Sequence, residues 1–250
     1  MTNNTDLLER SPEERARIED LLRIVPKGQD SVLEIGARDG RITQFLPAYF
    51  RRVTALDLEK PQFSFDRVST VKGDVRHLEF PDQSFDCVFC TEVLEHVPGV
   101  EKAATEIARV ARRNILLGVP FRQDTRIGRL TCGHCGKPNP PWGHVNNFDE
   151  QRLQRLFPGW IFETKSFVGI NRECTNGLAT WLQDLGGNPY GSYEQEEPCI
   201  YCGHKHVAPE RGGFLSRALV ALGVRLQNLQ SQLTKPHPNW VHLLLRRPAA

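Results

Sequence analysis

With 250 residues, 39% of them hydrophobic and 25% charged, the chain is long enough to bury a full α/β core and has the composition of a soluble globular protein. Its 32 basic and 30 acidic residues leave a formal charge of +2, so nucleic acid is not expected as a partner and any basic patch has to be local. The opening MTNNTDLLERSPEERAR lacks the apolar core of a signal peptide, and no stretch reaches the roughly 18 apolar residues of a membrane span; a cytoplasmic location is the expectation.

Ser11-Pro12-Glu13-Glu14 offers a cap, a proline at the first helical position and early acids, predicting a helix to about Val25. SVLEIG is a short apolar run breaking into glycine, and RITQFLPAYF reads as the helix that follows this strand. VTALDLE is a second strand ending in acids, VSTVKGDV a third ending at Gly73-Asp74, and FDCVFCTEV a fourth. The helix VEKAATEIARVAR, the strand NILLGVPF and the helix QRLQRLF, started by the capping box Asn147-Phe148-Asp149-Glu150, come next. IFETKSFVGI and NWVHLLLRR supply the last two strands.

This alternation predicts a Rossmann-like, doubly wound, mostly parallel seven-stranded sheet. Its core would comprise residues 1–121, 148–171 and 237–250, interrupted by insertions at 122–147 and 172–236. Loops that long are functional or separately stabilised.

In VLEIGARDG a glutamate at a strand end precedes Gly36 and Gly40, letting the backbone turn tightly and approach a ligand. Asp57 ends the second strand 21 residues after Gly36, where a carboxylate meets ribose hydroxyls in adenosine-binding folds, and Asp74 ends the third. FDCVFCTEVLEHV places Asp86 at the start of the fourth strand and Glu92, Glu95 and His96 after it.

In these residues the chain resembles the class I S-adenosylmethionine-dependent methyltransferases, of the methyltransferase type 11 kind. It matches the family's first motif at Glu34, Gly36 and Gly40, with Arg38 where the middle glycine usually sits. The resemblance covers about residues 28–171 and the final strand. It implies a cofactor site of Glu34, Gly36, Arg38, Gly40, Asp57, Asp74, Val75 and Glu92, with Asp74 accepting from the adenine amino group near the Val75 amide. Methyl transfer is an in-line displacement at a sulfonium carbon, so the protein supplies position and desolvation. His96 and His144 are the candidates for a base, histidine being the side chain that titrates near neutral pH. CTEV replaces the Asn/Asp-Pro-Pro-aromatic motif of enzymes that methylate exocyclic base amines, which argues against that subclass.

Of seven cysteines, Cys132, Cys135, Cys199 and Cys202 form two CxxCG units, each a knuckle in which two thiolates converge on one ion. Together they predict a structural zinc site stapling the insertions; a mixed site using His134, His204 or His206, or His144 as a further ligand, stays open. Cys87 and Cys90 lie in an apolar strand, on opposite faces, and read as core residues.

Leu215, Leu219, Leu222, Leu226, Leu229 and Leu233 line one face of a helix, and from Arg211 onward there are six basic residues and no acidic ones. The expectation is a helix packed by this face on its own domain; a homodimer through the 213–233 helix is the alternative. The functional expectation is a small-molecule methyltransferase with the insertions forming the acceptor pocket. An RNA or protein methyltransferase and a catalytically inactive binding module are the competing readings.

Overall fold

The structure, a computed structural model, describes residues 11–209 and 213–249; residues 1–10, 210–212 and 250, assigned above to the core and the second insertion, lie outside the described residues. The chain divides into two compact units. A sheet unit comprises Met1–Phe121, Phe148–Gly169 and Pro238–Ala250, and a cysteine unit comprises Arg122–Asn147 and Ile170–His237.

The sheet unit has seven strands: β1 (Ser31–Ile35), β2 (Arg52–Asp57), β3 (Val68–Lys72), β4 (Phe85–Thr91), β5 (Ala111–Pro120), β8 (Ile161–Val168) and β9 (Trp240–Arg246). They lie in the order β3-β2-β1-β4-β5-β9-β8, parallel except that β9 runs antiparallel to both β5 and β8. Helices cover it: α1 (Pro12–Arg23), α2 (Val100–Val110) and α3 (Glu150–Leu156). Successive side chains on a strand face opposite ways, so each central strand feeds two cores. Leu33, Val88, Cys90, Leu117 and Leu245 join one; Val32, Cys87, Phe89, Leu116 and Leu244 join the other. Cys87 and Cys90 are thus buried core residues on opposite faces. α2 contributes Val100, Ala103, Ala104, Ile107 and Val110 at helical spacing, and each large side chain buried there contributes about 1.5–3 kcal/mol.

α1 starts as its sequence requires, with the Ser11 hydroxyl accepting from the Glu14 amide and Pro12 at the first position. Asp20 ties it to the sheet by accepting from Ser166 and from Nδ1 of His242, a fully buried imidazole that burial pushes down to about 4 and so keeps neutral. One expected helix is absent as such: RITQFLPAYF holds a 3-10 turn at Thr43–Ala48, because Pro47 has no N–H for an α-helical bond.

The cysteine unit contains a two-stranded ribbon, β6 (Leu130–Thr131) and β7 (Pro138–Asn139), and the helices α4 (Gly177–Leu185) and α5 (Phe214–Leu233). α5 corrects the expectation for its leucines. It packs on α4 through Val220 and Gly223, where a β-carbon would come within 2.8 Å of the Ala179 carbonyl oxygen, and through Gln227 against Gln183. Leu215, Leu222, Leu229 and Leu233 are exposed and Leu219 and Leu226 half-buried, so the stripe faces away from the buried side. Close approach at a glycine decided which face was covered.

Candidate functional site

Four strand ends build the carboxyl edge of the sheet unit. At the first, Gly36 and Gly40 take φ of 83° and 80°, a left-handed conformation that glycine adopts without steric cost. Neither position has room for a β-carbon: one at Gly36 would lie 2.2 Å from Val93 Cγ2, and one at Gly40 2.8 Å from Phe63. Arg38, in the place of the family's middle glycine, adopts φ of 40°, a left-handed conformation that a residue with a β-carbon holds at the expense of strain. Its amide donates to Asp57 Oδ2 at 2.8 Å, while Asp57 Oδ1 accepts from the Leu58 amide at 2.7 Å. Arg38 and Asp57, with Asp39, Glu59, Pro61 and Phe63, line a depression of about 490 Å³.

Glu34 sits beneath this turn, buried. Desolvation pushes its carboxyl up to about 7, opposed by the Thr43 hydroxyl and reinforced by repulsion from Asp39 and Asp57. Asp74 is half-buried, its carboxylate gripped by both nitrogens of the Arg76 fork, which holds it below the usual range. Val75 beside it is buried. Asp86, at the opposite edge, accepts from the amides of Asp30 and Ser31 and pairs with Arg112; it joins the starts of β1 and β4 and has no part in the site.

After β4, Glu92 adopts φ of 55° and accepts from Arg17 Nη1 at 2.7 Å and from Trp240 Nε1 at 3.3 Å. Burial raises its carboxyl; the Arg17 charge and the Trp240 hydrogen bond pull it back. Glu95 is fully buried in the 3-10 turn Leu94–His96, and desolvation together with the Glu92 charge drives it well above a normal carboxylate. Arg17 was missed in the sequence, having no local signal on α1, 75 residues from its partner.

In the cysteine unit the sulfurs of Cys132, Cys135, Cys199 and Cys202 all lie within 4.8 Å of one another, with the Cys132–Cys202 and Cys135–Cys199 pairs at 3.7 Å. A tetrahedron of thiolates around zinc, at roughly 2.3 Å from the metal, has edges of roughly 3.8 Å, so the four donors fit a closed four-coordinate ion. Each knuckle turns on a left-handed glycine, Gly136 and Gly203, whose amides donate to the carbonyls of Cys132 and Cys199. Burial disfavours the Cys199 thiolate, but the amides of Tyr201 and Cys202 and the Asn139 side chain outweigh it and hold the thiol at about 6. The His204 amide favours a Cys202 thiolate, yet burial and the neighbouring sulfurs push the thiol up to about 12. Asn139 also accepts from the Ile200 amide, a brace between the two insertions that the sequence did not reveal. His134 and His204 stack on each other 3.5 Å apart, and His206 is buried beyond the knuckles. His144, in the same unit, shares a 2.6 Å hydrogen bond with Gln123 through Nδ1, while His96 lies in the sheet unit.

Residues 33–117 match the family model for the methyltransferase domain. That stretch, about a third of the chain, is similar to the methyltransferase domain family. The chain is 29% identical over 143 residues to the uncharacterized methyltransferase YcgJ of Bacillus subtilis, covering 52% of this chain and 56% of that one. It is also 43% identical over 54 residues to a sterol 24-C-methyltransferase of Yarrowia lipolytica, covering 22% of this chain and 14% of that enzyme. The chain therefore spans little more than half the length, or less, of the curated relatives it matches. The solved structure of YcgJ shares the fold, with a TM-score of 0.57, 14% identity, and 95% of this chain and all of that chain covered. Among the described residues no helix is long and apolar enough to cross a membrane.

Proposed function

We propose that the protein transfers a methyl group from S-adenosylmethionine to a small-molecule acceptor and that a structural zinc ion, held by Cys132, Cys135, Cys199 and Cys202, organises the cysteine unit. The observation that carries the methyltransferase reading is the left-handed turn Gly36-Ala37-Arg38, closed onto Asp57 at the end of the neighbouring strand. Glu34, Gly36, Arg38 and Gly40 would cradle the cofactor's amino-acid end, Asp57 its ribose, and Asp74 with Val75 its adenine; Glu92 borders the same edge. Asp74 is free to do so once Arg76 swings aside, a motion open to an exposed side chain.

The small-molecule reading is supported by a cavity within the cysteine unit of about 510 Å³, lined by Arg122, Gln123, Asn147, Cys174 and His237 among others, which is ligand-sized. His144 is one base candidate: donating from Nδ1 to Gln123 leaves Nε2 as its basic nitrogen; His96 is the other. Isothermal calorimetry with S-adenosylmethionine is the test, and absence of binding at millimolar cofactor would leave an inactive binding module. A macromolecular acceptor is the second reading, favoured by the exposed Tyr201 with Lys137 over its ring beside the stacked histidines. Self-association fits the exposed leucine stripe on α5, whose steps of four and three match a coiled-coil seam; sedimentation as a monomer would exclude it.

A further inference from the structure

The turn after β4 holds more unsatisfied acid than any hydrogen-bonding scheme in the sheet unit relieves. Oε2 of Glu92 is taken by Arg17 and Trp240, but Oε1 is buried without a partner. Glu95 is 0% exposed, and neither of its oxygens has a hydrogen-bond partner among the described residues. Each orphaned buried polar atom costs about 1–3 kcal/mol, more if charged, and three carboxylate oxygens are orphaned within four residues of sequence. A ligand atom of His96 lies within 4.8 Å of one from Glu95. The backbone adds a second sign: Glu92 is held in the left-handed region, with its amide bonded to the Gly118 carbonyl at 2.9 Å. Strain of that kind persists where surrounding structure fixes a side chain for a task.

Two carboxylates and an imidazole are donors for a hard to borderline divalent cation. We propose that Glu92, Glu95 and His96 bind such a cation at the carboxyl edge of β4, with coordination positions left open for an oxygen of the acceptor. The site would stand beside the cofactor turn, since Val93, the residue between the two glutamates' loop and the glycine turn, is what fills the space a Gly36 side chain would need. It is distinct from the four-cysteine cluster, whose soft thiolates select zinc.

This rests on the methyltransferase reading and deepens it, because a cation bound there would bind the acceptor through a hydroxyl and lower its pKa. The hydroxyl loses its proton to water; its oxygen then takes the methyl carbon from the sulfonium, and the electron pair of the broken bond stays on sulfur. His96 would then be a ligand and not the base.

The test uses the full chain with its zinc retained and Mn²⁺ as the probe, followed by the loss of the free-ion electron paramagnetic resonance signal in the presence of S-adenosylhomocysteine. One Mn²⁺ per chain is expected. Removing groups that merely support a metal's ligands costs 10–100-fold in affinity, so Glu95→Gln and His96→Ala should each weaken binding by about 100-fold or more. Calorimetry with S-adenosylhomocysteine, expected to be little changed, verifies that each variant folds. Wild-type protein that takes up no Mn²⁺ at millimolar concentration, or binding that survives both substitutions, overturns the site. Mn²⁺ bound by a protein that does not bind S-adenosylhomocysteine would keep the cation and sink the methyl-transfer reading instead.

Discussion

The sheet unit and the cysteine unit are held together by different forces. In the first, leucine, valine, isoleucine and phenylalanine side chains form two continuous clusters on opposite faces of the strands. In the second, the buried apolar side chains among the described residues are Leu130, Cys132, Pro141, Ala179, Leu182, Cys199 and Val220, outnumbered by buried Asn139, His144, Asn146, Thr175, Thr180, Asn188, Gln195 and His206. Its hydrogen bonds are specific: Asp124 accepts from Thr175 and Arg126, and Tyr193 braces Thr131. Specific polar contacts position groups well but contribute only about 0.5–1.5 kcal/mol each. A unit with so little apolar burial needs a further source of stability, and the cysteine cluster supplies the place for one.

Breaking that source should give the largest effect. Binding of structural zinc contributes about 10–16 kcal/mol in small zinc-dependent folds. Cys199→Ser, or chelation of the wild type, should therefore release the proposed zinc and abolish hydrogen-exchange protection in α4, α5 and the β6–β7 ribbon, while β1, β4 and β5 stay protected. Protection unchanged in metal-free protein would show that the cysteine unit stands on its polar contacts alone.

Within the sheet unit, the next effect concerns a buried acid. Glu34 has a folded-state pKa of about 7 against an ordinary 4.5. The native state therefore holds a proton that the unfolded state gives up between those values, so its stabilising share is complete below about 4.5 and is lost as pH rises through about 7. At ~1.4 kcal/mol per pKa unit the difference is on the order of 3 kcal/mol. Denaturant titrations from pH 5 to pH 8 should show a falling stability in the wild type and a flatter profile in Glu34→Gln; parallel profiles would contradict this.

The sheet unit was more legible than the cysteine unit because its signals are local. Strand lengths, the Ser11 cap, the glycine turn and the acids at the ends of β2 and β3 are all visible in short windows of sequence. RITQFLPAYF misled because its apolar spacing suits a helix while Pro47 limits it to a 3-10 turn. In the cysteine unit the CxxCG spacing gave the four sulfurs, but Asn139, which braces the second knuckle, is 61 residues from Ile200 and has no signature. The leucines of α5 show the same limit from the other side. Periodicity identifies an apolar face, but it is Gly223 against the Ala179 carbonyl that decides which face is covered. Arg17, likewise, is one arginine among several on a polar helix until Glu92 is brought to it.

Asp57 tests whether the glycine turn is a binding device. Hydrogen bonds to a charged group contribute about 1.5–3 kcal/mol, so loss of one charge-assisted bond to the ribose in Asp57→Asn should weaken S-adenosylmethionine binding by roughly 10- to 100-fold. Calorimetry reads this directly. Affinity that does not change would reduce Asp57 to a brace for the Arg38 and Leu58 amides.

Arg38 should give the smallest effect, and it separates backbone from side chain at the one position where the first motif departs from its pattern. A residue with a β-carbon in the left-handed region costs about 1–2 kcal/mol, whereas glycine in its place frees the unfolded chain at a cost of about 0.4–1 kcal/mol. The difference predicts that Arg38→Gly is more stable by about 0.5–1 kcal/mol, a rise of about 1–4 °C in Tm for a chain of this size. If Arg38 acts only through the amide that Asp57 accepts, cofactor affinity should stay within about threefold, because glycine offers the same N–H. A loss of tenfold or more with the same gain in stability would assign the guanidinium to the cofactor carboxylate, and would make the strain at this turn the cost of a charge that glycine cannot carry.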